Sequence, residues 1–178
     1  MTNFPDNFNC SINAEDKDVL ISEVRKLFSS IIAKHTSEED EERQWLLQNC
    51  KNPIILKLLH NMSGITVHVL DAIGQLEPVN SITISKNTGI PKGTVSKAIK
   101  RLISQELIIK TAVPDNKKEM LFYITPLGKE IFQLHQALHR HIDLGVITFL
   151  KKYDHQELKF LIEFLKDFSE VTFPYTEG

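Results

Sequence analysis

His135 and His139 stand four residues apart in the stretch "IFQLHQALHRHI". On a helix this spacing stacks both imidazoles on one face, and two imidazoles so placed can share one metal ion. They share the stripe of Ile131, Leu138 and Ile142, which is expected to face the body of the protein. A second stretch with chemistry is "GIPKGTVSKAIKRL", Gly89 to Leu102. Wound as a helix, it turns Lys92, Thr94, Ser96, Lys97, Lys100 and Arg101 outward and Val95, Ala98, Ile99 and Leu102 inward. Lysine and arginine neutralise phosphates, and short hydroxyl side chains reach phosphates or base edges.

The charge distribution points the same way. Residues 86–118 hold eight lysines and arginines against Glu106 and Asp115, while the whole 178-residue chain carries −2. A basic island in an acidic body is an electrostatic footprint for a polyanion. Apolar residues make up 42% and charged residues 25%, the balance of an ordinary soluble protein. No apolar run is long enough for a membrane span. The N-terminal "MTNFPDNFNCSINAEDKD" lacks the basic-then-apolar order of a signal peptide. Two cysteines, Cys10 and Cys50, make no disulfide framework. A cytoplasmic location is expected. The chain shows no glycine-rich phosphate loop, nucleophile elbow or His-Glu-x-x-His pattern, so an enzyme is not expected.

Several elements must position these residues. Leu20, Val24, Leu27, Phe28, Ile31 and Ile32 recur at helical spacing and predict a helix from Ala14 to Lys34. Ser37 with Asp40 resembles the start of a second, running to Gln48. Asn52-Pro53 caps and opens a third. Ser63-Gly64 breaks it, and a fourth follows with Ile65, Val69, Ala72 and Leu76 on one face. Asn80 or Ser81 caps a short helix from Ile82 to Asn87, which Gly89 ends in the left-handed conformation open to glycine. The basic helix runs from Pro91 to Gln105. Then the period changes: "LIIKTAV" and "EMLFYIT" read as strands, joined by a basic tip, "PDNKK". Thr125-Pro126 opens a long helix to Lys151, and Asp154 with Glu157 forms a capping box for a last helix to Val171. That last helix is apolar nearly all round, so more than one face is expected to be buried, against a partner subunit.

Short helix, glycine turn, basic helix and β-hairpin make a winged helix-turn-helix, whose second helix lies in the DNA major groove. The chain is therefore expected to be mainly α with a small β-hairpin wing. Asn116, Lys117 and Lys118 join the helix residues as DNA contacts from the wing tip. A winged helix that binds only protein is the rival class. The sequence "ITISKNTGIPKGTVSKAIKRLISQELI", followed by "PDNKKEMLFYITPLGKEIF", resembles the MarR family of bacterial transcription regulators over roughly Ile65 to Val171. The family's wing carries an Asp followed two residues later by Arg. Here Asp115 is followed by Lys117, a point charge for phosphate without the bidentate fork. The resemblance implies a homodimer reading a pseudo-palindrome on double-stranded DNA, with half-sites about one DNA turn apart, and action as a repressor is expected. It implies a winged helix-turn-helix (65–125) and C-terminal dimerisation helices (126–178); the N-terminal helical arm (1–64) is longer than the family usually carries and is expected to add dimer packing.

The chain is also similar to the zinc-uptake repressors of that family. These carry two histidines four apart, beginning ten residues after the threonine of the L-T element, and Thr125 plus ten is His135. They carry another histidine in the helix before the short helix, which His68 matches. Their upstream acidic ligand falls near Cys50 here, and thiolate is an acceptable zinc ligand. The resemblance thus implies zinc as effector, held by Cys50, His68, His135 and His139. A small organic ligand between the dimer helices and the winged lobe, or oxidation of Cys10 or Cys50, are the alternatives.

Overall fold

The computed structural model describes residues 14–35, 38–113 and 116–171. Its elements are α1 (Ala14–His35), α2 (Glu38–Asn49), α3 (Pro53–His60), α4 (Gly64–Leu76), α5 (Ser81–Thr88), α6 (Lys92–Ser104), β1 (Ile108–Val113), β2 (Asn116–Ile124), α7 (Pro126–Leu150) and α8 (His155–Glu170). The chain divides into two units, residues 1–45 and 46–178. In the first, α1 carries Val19, Leu20, Ile21, Val24, Leu27 and Ile31, all largely exposed. Among the described residues, no helix is long and apolar enough to cross a membrane.

The second unit has its core around α4. Helices α5, α6 and α7 and strand β2 all pack on it. Val69, Leu70 and Ile73 of α4 meet Ile84, Val95, Leu102, Leu107, Ile108 and Ile131 in a layer closed to solvent. Each such aliphatic side chain contributes about 1.5–3 kcal/mol on burial. The sequence predicts one buried face on α4, through Ile65, Val69, Ala72 and Leu76. The buried set is wider, Thr66, Val67, Val69, Leu70, Asp71, Ala72 and Ile73, and Ile65 is exposed. A helix covered by neighbours on most sides has no single polar face for a periodicity argument to find.

Local chemistry sets the boundaries. Asn80 accepts from the Thr83 N–H at 2.8 Å and caps α5, and Gly89 ends it at φ 70°. The turn into α6 is locked by Ser85 Oγ donating to the Ile90 carbonyl (2.7 Å) and by the Ile90 N–H donating to Thr88 Oγ1 (3.2 Å). The Asp154–Glu157 capping box forms as expected at α8.

Strands β1 and β2 pair antiparallel, Ile108 opposite Ile124 through Ala112 opposite Met120, with an irregularity before the Val113–Asn116 pair. The sequence places Asn116–Lys118 in the turn; β2 already begins at Asn116. Val79 adds a bridge to Phe122. At the far end of the hairpin, Thr125 donates to the Glu106 carbonyl (2.8 Å) and accepts from the Gly128 N–H (3.0 Å). A Cβ on Gly128 would lie 2.1 Å from the Leu107 carbonyl oxygen, so only glycine lets α7 start against the end of α6.

Helix α7 changes character along its length. Gly128, Ile131, His135 and Leu138 are buried, but Ile142, expected on the same inward stripe, is 41% exposed. The stripe continues past the lobe it packs on. None of the residues of α8 is buried, so the burial expected for it is not supplied by the described residues.

Candidate functional site: an exposed basic helix and a histidine cluster

Helix α6 has the two faces its spacing demands. Val95, Ala98, Ile99 and Leu102 are buried, while Lys92, Ser96, Lys97, Lys100 and Arg101 are exposed and Thr94 is half-buried. Five of these six candidate contacts therefore stand in solvent on one short rigid element. The Arg101 guanidinium donates to the Asn61 carbonyl at the end of α3, which braces α6 against the helix below it. The side chains of Asn116, Lys117 and Lys118, and residues Pro114 and Asp115, lie outside the described residues, as do Cys10 and Ser37.

Within the same unit, α4 and α7 bring the histidines together. His135 is 1% exposed. Its ring centroid lies 5.3 Å from that of His68 and 4.4 Å from that of His139, both edge-to-face. Ligand atoms of His68 and His135 lie within 4.8 Å of each other. His139 completes the trio as a ring contact of His135, one helical turn on, rather than as a third nitrogen already at that separation.

Asp71, which the sequence reading did not single out, sits at the centre of the polar contacts. Its Oδ1 lies 3.0 Å from His135 Nδ1 and accepts from Gln136 Nε2 at 2.7 Å; its Oδ2 accepts from Gln75 Nε2 at 2.5 Å. Burial by itself raises the pKa of this carboxyl, but the hydrogen bonds from His135, Gln136 and Gln75 and the electrostatic attraction of the His135 ring outweigh it and hold Asp71 below its ordinary value. The opposite nitrogen of the imidazole, His135 Nε2, is buried with no hydrogen-bond partner among the described residues. The signal for Asp71 was present: it follows His68 by three residues, on the same side of α4, and is the one acid in the otherwise uncharged "GITVHVLDAIGQL".

Cys50 is elsewhere. Its thiol donates to the Asn52 carbonyl at 3.4 Å, and it lines a cavity of about 490 Å³ with Asn52, Glu130, Gln133, Leu134 and Ala137. At about 100° per residue, those α7 positions face away from His135 and His139. The cavity on this side of α7 gathers Cys50 with Glu130 and the amides of Asn49, Asn52 and Gln133, and no histidine is among its described lining residues. A second cavity, of about 430 Å³, opens beside His68, Asp71 and Gln75 and reaches Asn87, Thr88 and Ile90 at the turn before α6.

Residues 60–119 match a family model described as MarR family. The chain is 37% identical over 112 residues to the HTH-type transcriptional regulator PchR of Bacillus subtilis, covering 63% of this chain and 65% of that protein. It is 31% identical over 111 residues to the uncharacterized HTH-type regulator YhjH of the same organism, covering 62% and 63%. The matched stretches thus span just under two thirds of these relatives. Among solved structures, the fold is similar to Lactococcus lactis ZitR, a zinc-responsive MarR family member (TM-score 0.65, 20% identity, 83% of this chain and 97% of that one). It is also similar to Streptococcus pneumoniae FabT in complex with DNA (TM-score 0.62, 18% identity, 84% and 95%). Over residues 60–119, which hold its helix-turn-helix, this chain is similar to the MarR family.

Proposed function

We propose that the protein is a homodimeric, sequence-specific DNA-binding transcriptional regulator, acting as a repressor whose operator affinity is set by zinc. The observation that carries the DNA-binding reading is α6: a helix fixed by four buried side chains, with Lys92, Ser96, Lys97 and Lys100 exposed together on its outer side. Lysines there bind phosphate and Ser96 reaches the groove floor, while Arg101 serves partly as a brace. The solved complex of FabT with DNA supports the reading by its shared fold. The partner is a second copy of the chain. It would cover α8 and the end of α7, where Phe160 and Leu165 stand 67% and 58% exposed, and α1 of the N-terminal arm would add to the same association.

The metal reading rests on His135 Nε2, a buried ring nitrogen with no partner, beside the rings of His68 and His139. An unpartnered buried nitrogen of this kind fits a metal ligand, and imidazole suits zinc. His68, His135 and His139 would hold the ion, which would supply a tie between α4 and α7. ZitR, zinc-responsive by its description, supports this choice among effectors. Cys50, by its position, is left out of the set. A second reading, an organic effector, is favoured by the cavity that joins Asp71 and Gln75 to Thr88 and Ile90.

Selection of a randomised duplex pool, about 30 base pairs long to hold two half-sites one turn apart, tests the DNA reading. An enriched palindromic sequence is expected, bound with an affinity that falls linearly in log–log form with salt. Failure to enrich any sequence, or binding indifferent to salt, rejects it in favour of a protein-interaction module.

A further inference from the structure

We propose that Asp71 is the positioning residue of the histidine centre: its carboxylate fixes His135 as the Nδ1–H tautomer and so presents Nε2 as the metal-binding nitrogen. This inference rests on the metal reading above and adds to it a residue that is not itself a ligand.

Hydrogen-bond capacity decides which ring nitrogen carries the proton. An ionised carboxylate only accepts, and neutral imidazole has one nitrogen that donates and one that accepts. With Nδ1 3.0 Å from Asp71 Oδ1, the proton belongs on Nδ1, and the lone pair belongs on Nε2. The Nε2 atom is buried and without a partner, on the ring that both His68 and His139 approach edge-on. Both oxygens of Asp71 are engaged with side chains. Oδ1 also accepts from Gln136 and Oδ2 accepts from Gln75, and these two amides keep the carboxylate from rotating. A carboxylate behind a ligating imidazole raises its basicity and holds its ring plane, and losing such a partner weakens metal affinity by roughly 10–100-fold. Asp71 and His135 are 64 residues apart in the chain. The pair joins α4, at the centre of the winged lobe, to α7, so the orientation of the ring depends on the docking of the two helices.

The test is a titration of zinc into metal-stripped, full-length protein against a chromophoric chelator, for wild type, His135→Ala and Asp71→Asn. Wild type is expected to bind zinc, His135→Ala to lose it, and Asp71→Asn to bind roughly 10–100-fold more weakly. An Asp71 that only supported the fold would lower the melting temperature and leave the zinc affinity of the folded variant unchanged; that result overturns the inference and leaves the metal reading standing. If wild type takes no zinc, both fall. Should Asp71→Asn fail to fold, long-range proton–nitrogen spectra of the histidine rings in metal-free wild type decide. A protonated Nδ1 on His135 supports the role of Asp71, and a protonated Nε2 overturns it.

Discussion

The two halves of α7 make an instructive contrast. They share one backbone and a similar apolar content, yet Ile131 and Leu138 are sealed while Ile142, Leu144, Ile147 and Phe149 stand open. The first half begins against the end of α6, where Gly128 meets Leu107, and packs along α4. The second half and α8 have apolar surface of the same quality and no cover among the described residues. Apolar content therefore says that a surface is to be buried, and only the fold says by what. The first half belongs to the lobe that carries the basic helix; the second half is what a partner copy would complete.

The largest expected effect separates the halves directly. Ile131→Ala should cost about 2–5 kcal/mol of stability, read as a denaturant midpoint that does not depend on protein concentration. Ile147→Ala should leave the lobe intact and show its loss only as a midpoint that shifts with concentration. Equal behaviour of the two variants would remove the distinction between the halves. Phe160→Asp sharpens it further. At so exposed a position the change should alter monomer stability by no more than about 0.5 kcal/mol, while sedimentation should show the dimer dissociating at concentrations where wild type stays paired. Gly128→Ala probes the junction that sets where α7 starts. Its Cβ collides with a backbone oxygen, so a cost of about 1–3 kcal/mol is expected in thermal unfolding. Smallest is the effect on the outer surface. Lys97→Ala or Lys100→Ala should leave stability unchanged, weaken DNA binding several-fold, and reduce the salt slope of binding by about one. Unchanged binding would remove α6 from the groove.

The same contrast explains what could be read from the chain. The helix-turn-helix was legible because its signals are local: Asn80 as a cap, Gly89 at positive φ, and four apolar residues of α6 at helical spacing, all present as expected. The pairing of His135 with His139 was legible for the same reason, since a helical period places them together. Asp71 was not, because its meaning depends on a side chain 64 residues away. The brace from Arg101 to Asn61 and the bridge from Val79 to Phe122 are tertiary in the same way. Cys50 was placed by counting along the chain, and a count cannot show on which side of α7 a residue lands. Ile142 continues its stripe correctly, but periodicity does not say where the supporting lobe ends.

The most direct test of the central claim is the affinity of a selected duplex, by fluorescence anisotropy, for metal-stripped and zinc-loaded protein, in wild type and His135→Ala. The account predicts that zinc changes the wild-type affinity by roughly 5–150-fold, the range of ordinary coupling between sites, and leaves the variant unmoved. Superimposable wild-type curves with and without zinc would contradict it.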